Sequence, residues 1–313
     1  MVDYNVSLTT KLKPPQKGII AIEPEDYSAA EIAALKKSGA RVLAYLSVGS
    51  VSDERSYYKQ LEPYTLRKLD DWPHERYLDL RQPAVREWLQ NRARKLKSMG
   101  FDGWWLDNID VYEEYRSTEM FKALVCTLHA IKALGGYAMV NGGMMFLTDM
   151  LIPHKVQIGA YKDKSNAKRI ASALKKAGIK NTTIEMDGFY KVQTGAFSDR
   201  AGADNMVGSL HVAGFPMTKR ITLFSGKPSA YLDGVTQEEV FSLITDYRGK
   251  GKFGKQDKEE SEKYQSHMRR VVKNGLQGFL LEYTDNNTLK LRIKAFCETA
   301  GMSGACISAD VDL

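Results

Sequence analysis

The stretch FDGWWLDNID at 101–110 holds the residues best placed to do chemistry: a run of bulky apolar side chains that ends in Asp107, Asn108 and Asp110. An ionised carboxylate beside two tryptophans loses its hydration, which costs on the order of several kcal/mol unless partners replace the water. Chains keep such a group where it reacts, so Asp107 is a candidate catalytic carboxylate at a sheet edge. The competing reading is an Asp-rich turn in which Asp107 or Asp110 caps the next helix.

Recurrence favours chemistry. The runs IIAIEPED at 19–26, VLAYLSVGS at 42–50, YAMVNGG at 137–143, AYLDGVTQEE at 230–239 and GFLLEYTD at 278–285 also turn polar at their carboxyl ends. Between them, 28–39, 83–100, 117–136, 258–275 and 286–301 carry apolar residues at helical spacing and close on Gly. Adding the short YLDL at 77–80 and GACISADV at 304–311 gives eight strands alternating with helices. That alternation predicts a (β/α)8 TIM barrel, whose strand ends all converge on one mouth.

Such a barrel needs about 250 residues, and this chain has 313. The surplus is visible as a repeat: VQIGAYKDKSNA at 156–167 returns as VQTGAFSDRAGA at 192–203. Each copy reads as strand, Gly turn and helix start, and TTIEM at 182–186 supplies a further strand, so 154–223 is expected to fold as βαββαβ. The barrel is then discontinuous, 1–153 and 224–313. MMFLTDML at 144–151 reads as its fifth helix. The insert would follow that helix and is expected on the face opposite the mouth. Residues 154–222 hold twelve Lys and Arg against five Asp and Glu, leaving 33 of each sign elsewhere, so the insert carries the whole net charge of +7. A basic module in a neutral body reads as a tether for a polyanionic or polar polymer.

The paired V-Q-x-G-A-(Y/F) motifs, each followed by Asn-Ala or Gly-Ala and a helix ending in Ala-Gly, resemble the SPOR (sporulation-related repeat) family. The resemblance implies binding to peptidoglycan glycan strands, with motif positions Gln157, Gly159, Tyr161, Gln193, Gly195 and Phe197 on or beside the sheet. The same topology serves RNA binding, but the aromatic RNP1 string is absent and nucleic acid is not the expected partner.

The rest of the chain resembles the endo-α-1,4-polygalactosaminidase family of glycoside hydrolases, through AYLSVGS, YLDLRQPAVREWL, GFDGWWLDNIDVY, VNGG, YLDGVTQEEVF and LEYTD in that order. Asp107 matches the catalytic Asp of strand four, and aligning D-G-V-x-x-E from Asp233 selects Glu238 over Glu239. The resemblance implies a TIM barrel and retaining hydrolysis, with Asp107 as nucleophile and Glu238 as acid and base. Retention requires carboxyl groups about 5 Å apart. From sequence alone either carboxylate fits either role. Tyr45 and Asn141 are expected to hydrogen-bond sugar hydroxyls, Asp110 and Tyr112 to shape a neighbouring subsite, and Trp72 to stack on a ring. Trp104 and Trp105 alternate along a strand, so one is expected in the barrel core and the other against the helices.

Glu23, Glu25, Asp26, Asp107, Asp110, Glu113, Glu238 and Asp285 fall at or just past strand ends, a mouth that would attract amino-bearing sugars, while the Lys-rich loop RGKGKFGK at 248–255 would repel them. The five histidines have no ligand spacing and the three cysteines form no C-x-x-C pair, so neither metal nor cofactor is expected and the thiols are expected free and buried. No run approaches the length of a membrane span, and the start lacks an apolar export segment. A wall-binding module nevertheless places the expected action outside the cell or at its envelope. Two alternatives remain beside the polygalactosaminidase reading: hydrolysis of peptidoglycan glycan strands, and a barrel that binds wall carbohydrate without cleaving it.

Overall fold

The computed structural model describes residues 1–70, 72–246 and 252–308. Eight strands form one all-parallel sheet in chain order: Tyr4–Ser7, Gly18–Ile22, Ala40–Ser47, Gly103–Asp107, Tyr137–Asn141, Gly234–Glu238, Gln277–Tyr283 and Gly304–Ser308. The first and last approach each other, with Val2 N donating to Ser303 O at 2.7 Å, so the barrel nearly closes. Its interior is filled by Tyr4, Leu43, Trp105, Met139 and Phe279. Interior polar atoms are matched: the Trp105 indole donates to Tyr4 Oη at 2.8 Å, and Tyr4 Oη bonds Thr236 Oγ1 at 2.8 Å. Trp104 is also buried, its indole donating to Ala93 O in the helix Pro83–Ser98, so the two tryptophans divide between core and helix layer as their alternation predicts.

One strand differs from the sequence expectation. YLDL at 77–80 is not a barrel strand; Glu75–Leu78 joins Ser50–Ser52 and Thr65–Lys68 in a small antiparallel sheet. The missing place is taken by Tyr4–Ser7, whose two apolar residues, Tyr4 and Val6, are too few to register as a run. The count to strand four is unchanged. The helices Ala29–Lys37, Pro83–Ser98, Thr118–Lys132, Lys258–Lys273 and Asn287–Ala300 fall where periodicity puts them. Their caps explain the boundaries: Ser28 and Glu31 form a reciprocal capping box, Asp257 accepts from Glu259 N and Glu260 N, and Gly301 ends its helix left-handed. The Lys-rich loop lies partly outside the described residues; its described end, Lys252–Lys255, pairs with Ser242–Asp246.

The chain divides into two compact units, the second comprising Tyr112–Lys122 and Met145–Lys227. This unit contains a four-stranded antiparallel sheet in the order Thr182–Met186, Phe189–Phe197, His154–Tyr161, Lys219–Thr222, with helices Lys164–Lys176 and Arg200–Val212. That is the expected βαββαβ order. Val156, Ile158, Ala167, Leu174, Val192, Ala203 and Leu210 form its core. The repeat also repeats its caps, Asp163 accepting from Ser165 N and Asp199 from Gly202 N, each at 2.7 Å. A Cβ at Gly159 would lie 2.3 Å from Tyr161 Oη, and one at Gly195 would lie 2.9 Å from the Phe197 ring. Each motif glycine is therefore the floor on which the aromatic two residues later rests.

Candidate active site

Asp107 and Glu238 are the last residues of the fourth and sixth barrel strands, and Asn141 ends the fifth between them. Each carboxylate is followed by a non-glycine residue in the left-handed region, Asn108 at φ 59° and Glu239 at φ 56°. That conformation costs roughly 1–2 kcal/mol for an L-residue, and it stops the extended backbone at the carboxylate. Asn108 is held by donating from Nδ2 to Ser47 Oγ at 3.0 Å, and Gly49 is required beside it because a Cβ there would lie 1.8 Å from Asn108 O.

One amide bridges the two acids: Asn141 Nδ2 donates to Asp107 Oδ1 at 3.0 Å and makes a short bond to Glu238 Oε1. Tyr45 Oη donates to Asp107 Oδ2 at 3.1 Å, and Tyr283 Oη to Glu238 Oε2 at 3.0 Å. These three donors fix all four carboxylate oxygens in orientation. Tyr283 is itself set by a buried acid on the same strand. Glu282 accepts from Phe241 N at 3.1 Å, Ser242 N at 2.9 Å and Ser242 Oγ at 2.6 Å, and Ser242 Oγ accepts from Tyr283 N at 2.9 Å. The backbone leaving Glu238 and the tyrosine that bonds it thus share one anchor.

Burial, with the nearby charge of Asp107, pushes the Glu238 carboxyl up to about 8, against the opposing bonds from Asn141 and Tyr283. Burial also raises Asp107, while Asn141, the Asn108 backbone and Tyr45 lower it. The Asp107 charge is among the causes that raise Glu238, so within the pair Asp107 ionises first and Glu238 keeps its proton to higher pH.

Both acids line a cavity of about 200 Å3 with Leu8, Tyr45, Trp72, Glu75, Asn108 and Asn141. A second cavity of about 510 Å3 shares Leu8, Tyr45, Trp72 and Glu75 and adds Glu23, Glu25 and Glu54 with Arg55 and His74. Of the residues expected to meet substrate, Tyr45, Trp72 and Asn141 are brought to the acids, and Trp72 is 42% exposed, as a stacking ring must be. Asn141 Oδ1 is buried without a hydrogen-bond partner among the described residues.

Tyr112 requires correction. It is fully buried, its hydroxyl donates to Asp149 Oδ2 at 2.8 Å and its ring packs on Phe121 and Phe146, so it has no surface to offer a sugar. Asp110 is half-buried and does not line either cavity. Glu75 and Tyr283 were not anticipated. Glu75 accepts a short hydrogen bond from Ser50 Oγ, and burial together with Asp107 raises its pKa. The mouth is less negative than its sequence implies, because Glu23 and Glu25 pair with Arg55 at 2.7 and 3.4 Å.

In the second unit, Gln157 and Gln193 lie directly opposite each other on paired strands, Gln157 buried and Gln193 half-buried. Tyr161 and Phe197 pack against the unit's core, so packing accounts for these two motif aromatics. Lys155 is buried in an ion pair with Asp149 at 2.9 Å. All three cysteines are free; Cys297 and Cys306 are buried as expected, whereas Cys126 is exposed on its helix. Among the described residues no cluster of three or more His, Cys, Asp or Glu is placed to hold a metal ion, and no helix is long and apolar enough to cross a membrane.

A parallel barrel with two carboxylates at strand ends two apart inside one cleft is the arrangement of a barrel glycoside hydrolase. Residues 2–142 match the family model described as glycoside-hydrolase family GH114, and residues 152–216 match the SPOR domain, so the chain combines a GH114 glycoside-hydrolase match with a SPOR domain. The GH114 match includes Asp107 and Asn141 and ends before Glu238. The glycoside hydrolase domain of PelA from Pseudomonas aeruginosa is similar across 99% of this chain and 96% of its own, with 15% identity and a TM-score of 0.61. Ega3 of Aspergillus fumigatus, solved in complex with galactosamine, is similar over 100% of this chain and 92% of its own, with 15% identity and a TM-score of 0.58. At that identity the likeness establishes the fold. No curated protein matches the chain.

Proposed function

We propose that this protein is a retaining, endo-acting hydrolase of a galactosamine-containing polysaccharide, held at the bacterial cell wall by its SPOR domain. The observation that carries the proposal is the Asn141 bridge. A single nitrogen bonded to both acids keeps their facing oxygens within the length of two hydrogen bonds, roughly 6 Å at most. Retaining enzymes need about 5–5.5 Å, whereas inverting ones need about 6.5–9.5 Å to admit a water. In this reading Asp107, already ionised, attacks the anomeric carbon while Glu238 delivers its proton to the leaving oxygen. Forming the glycosyl ester removes the charge on Asp107. One cause of the high Glu238 pKa then disappears, and the residue becomes a better match for deprotonating the incoming water. Neutral Asn141 and Tyr45 hold the Asp107 oxygens throughout.

Substrate choice is supported by the cleft's own chemistry. Glu75 in the catalytic cavity and Glu54 in the adjoining one offer negative charge to a sugar ammonium, and Trp72 offers a ring face. Ega3, of the same fold, is described in complex with galactosamine. The adjoining cavities give room for sugars beyond the scissile bond, which an endo-acting enzyme requires. The SPOR match suggests association with the wall, and from it we place the protein's action at the envelope. Incubation with galactosamine polymer and, separately, with purified sacculi, followed by mass spectrometry and by NMR of the first-formed anomer, tests the reading. Oligomers from the polymer with retained configuration are expected. Inverted product would remove the nucleophile role, and products from sacculi alone would transfer the substrate to peptidoglycan.

A further inference from the structure

The helix Lys164–Lys176 sets Lys164, Lys168 and Lys175 on one face, at helical spacing. With Lys180 they rim a concave pocket of about 920 Å3 that also exposes Ser172 and Tyr190, over whose ring Lys164 Nζ sits at 5.6 Å. Some other cations of this unit are neutralised, among them Lys155 by Asp149 at 2.9 Å, Lys191 by Asp187 at 2.6 Å and Arg220 by Asp204 at 2.6 Å. The four pocket lysines have no carboxylate partner among the described residues, and Glu185 is the single acid in the lining. Four gathered like charges oppose one another until an anion supplies the missing sign.

The chemistry of the lining narrows the anion. Planar carboxylates are best held by the guanidinium fork, and no Arg lines the pocket. Lysines act as separate point charges, which suits singly charged tetrahedral groups repeated along a chain. Hydroxyls from Ser172 and Tyr190 complete a surface for a polyol. We propose that this pocket binds a phosphodiester polymer of the cell wall, a chain of polyol phosphates, beside whatever glycan the SPOR domain holds. The proposal rests on the wall-binding reading only for where that polymer is met.

The test uses the full chain with Lys164, Lys168, Lys175 and Lys180 all replaced by Gln, and a control in which the exposed Lys37, Lys95, Lys273 and Lys294 are replaced instead. Affinity is measured for soluble polyol-phosphate polymer and for sacculi before and after hydrofluoric acid removes their phosphodiesters. The pocket variant should bind the polymer and untreated sacculi about tenfold or more weakly, the control should bind as the parent does, and all three should bind stripped sacculi alike. Parent binding to the polymer with none to stripped sacculi would retain the pocket and remove the glycan reading. Unchanged polymer binding by the pocket variant, or an equal loss in the control, would overturn the proposal. So would tighter, equally lysine-dependent binding of duplex nucleic acid.

Discussion

Glu238 holds its proton because burial and the Asp107 charge oppose its ionisation, and Tyr283 pulls the other way by donating to the ionised form. The sign of the pH dependence follows. Turnover per substrate encounter needs Glu238 protonated, so kcat/KM should fall as pH rises through about 8. It needs Asp107 ionised, so it should also fall in acid, from a point above an ordinary Asp because burial raises that group. Tyr283→Phe removes a bond that favours ionised Glu238, and the alkaline limb should move to higher pH. A limb that stays in place, measured by initial rates from pH 4 to 10, would detach Tyr283 from the acid. Glu239, the neighbour that motif alignment passes over, spends Oε1 on Ile244 N, and Glu239→Gln should change turnover far less than Glu238→Gln. The sequence displays Asp107 openly, as a carboxylate after two tryptophans. It hides Glu75, which lies in a polar stretch with no apolar run to flag it, and Tyr283, which reads as one more core residue until its hydroxyl is seen to reach an acid.

At the scale of elements, strands recognised by apolar runs are legible because six of them bury at least three successive residues. Tyr4–Ser7 is not, since a four-residue strand at the barrel seam needs only Tyr4 and Val6 to face inward. YLDL has the right composition for a barrel strand, but two antiparallel partners, both earlier in sequence, capture its first residues. The seventh strand contains the fully buried Glu282, raised to about 7 by burial against four donated hydrogen bonds. A carboxyl whose folded pKa is raised contributes stability fully present below its unfolded value and lost as pH rises toward the folded one. Glu282→Gln should flatten stability between about pH 4.5 and 7. It should also cost about 1–3 kcal/mol by turning an amide toward backbone N–H groups. Denaturant unfolding across that range checks both. His267, in the helix Lys258–Lys273, shows the opposite sign. It is buried with neither ring nitrogen bonded, and burial lowers it to about 4. Its neutral form contributes stability above about 6.5 that is lost as pH falls toward 4. His267→Leu should raise the thermal midpoint at pH 5 relative to the parent, and a lower midpoint there would show that shape outweighs charge.

For the whole molecule, the sequence repeat and the charge partition located the second domain, because each copy carries its own strand, glycine floor and Asp cap. What they did not show is that Tyr112–Lys122 and Met145–Leu151 would cluster with it: Thr118 donates to Asp187 at 2.7 Å, and Asp149 pairs with Lys155 and Arg116. Replacing 154–223 by a short Gly/Ser linker should preserve cleavage of a soluble oligosaccharide and abolish sedimentation with sacculi. Asp149 retains Arg116 and Tyr112 in that variant, so the remaining chain is expected to fold at reduced stability. Equal sedimentation of both proteins would make the barrel the anchor.

The account stands most directly on the two strand-end acids. Initial rates on a defined galactosamine oligosaccharide should fall about a hundredfold or more in both Asp107→Asn and Glu238→Gln, near-isosteric changes, while thermal unfolding confirms that each variant remains folded. Full turnover by either folded variant would contradict the assignment of this pair as the catalytic machinery.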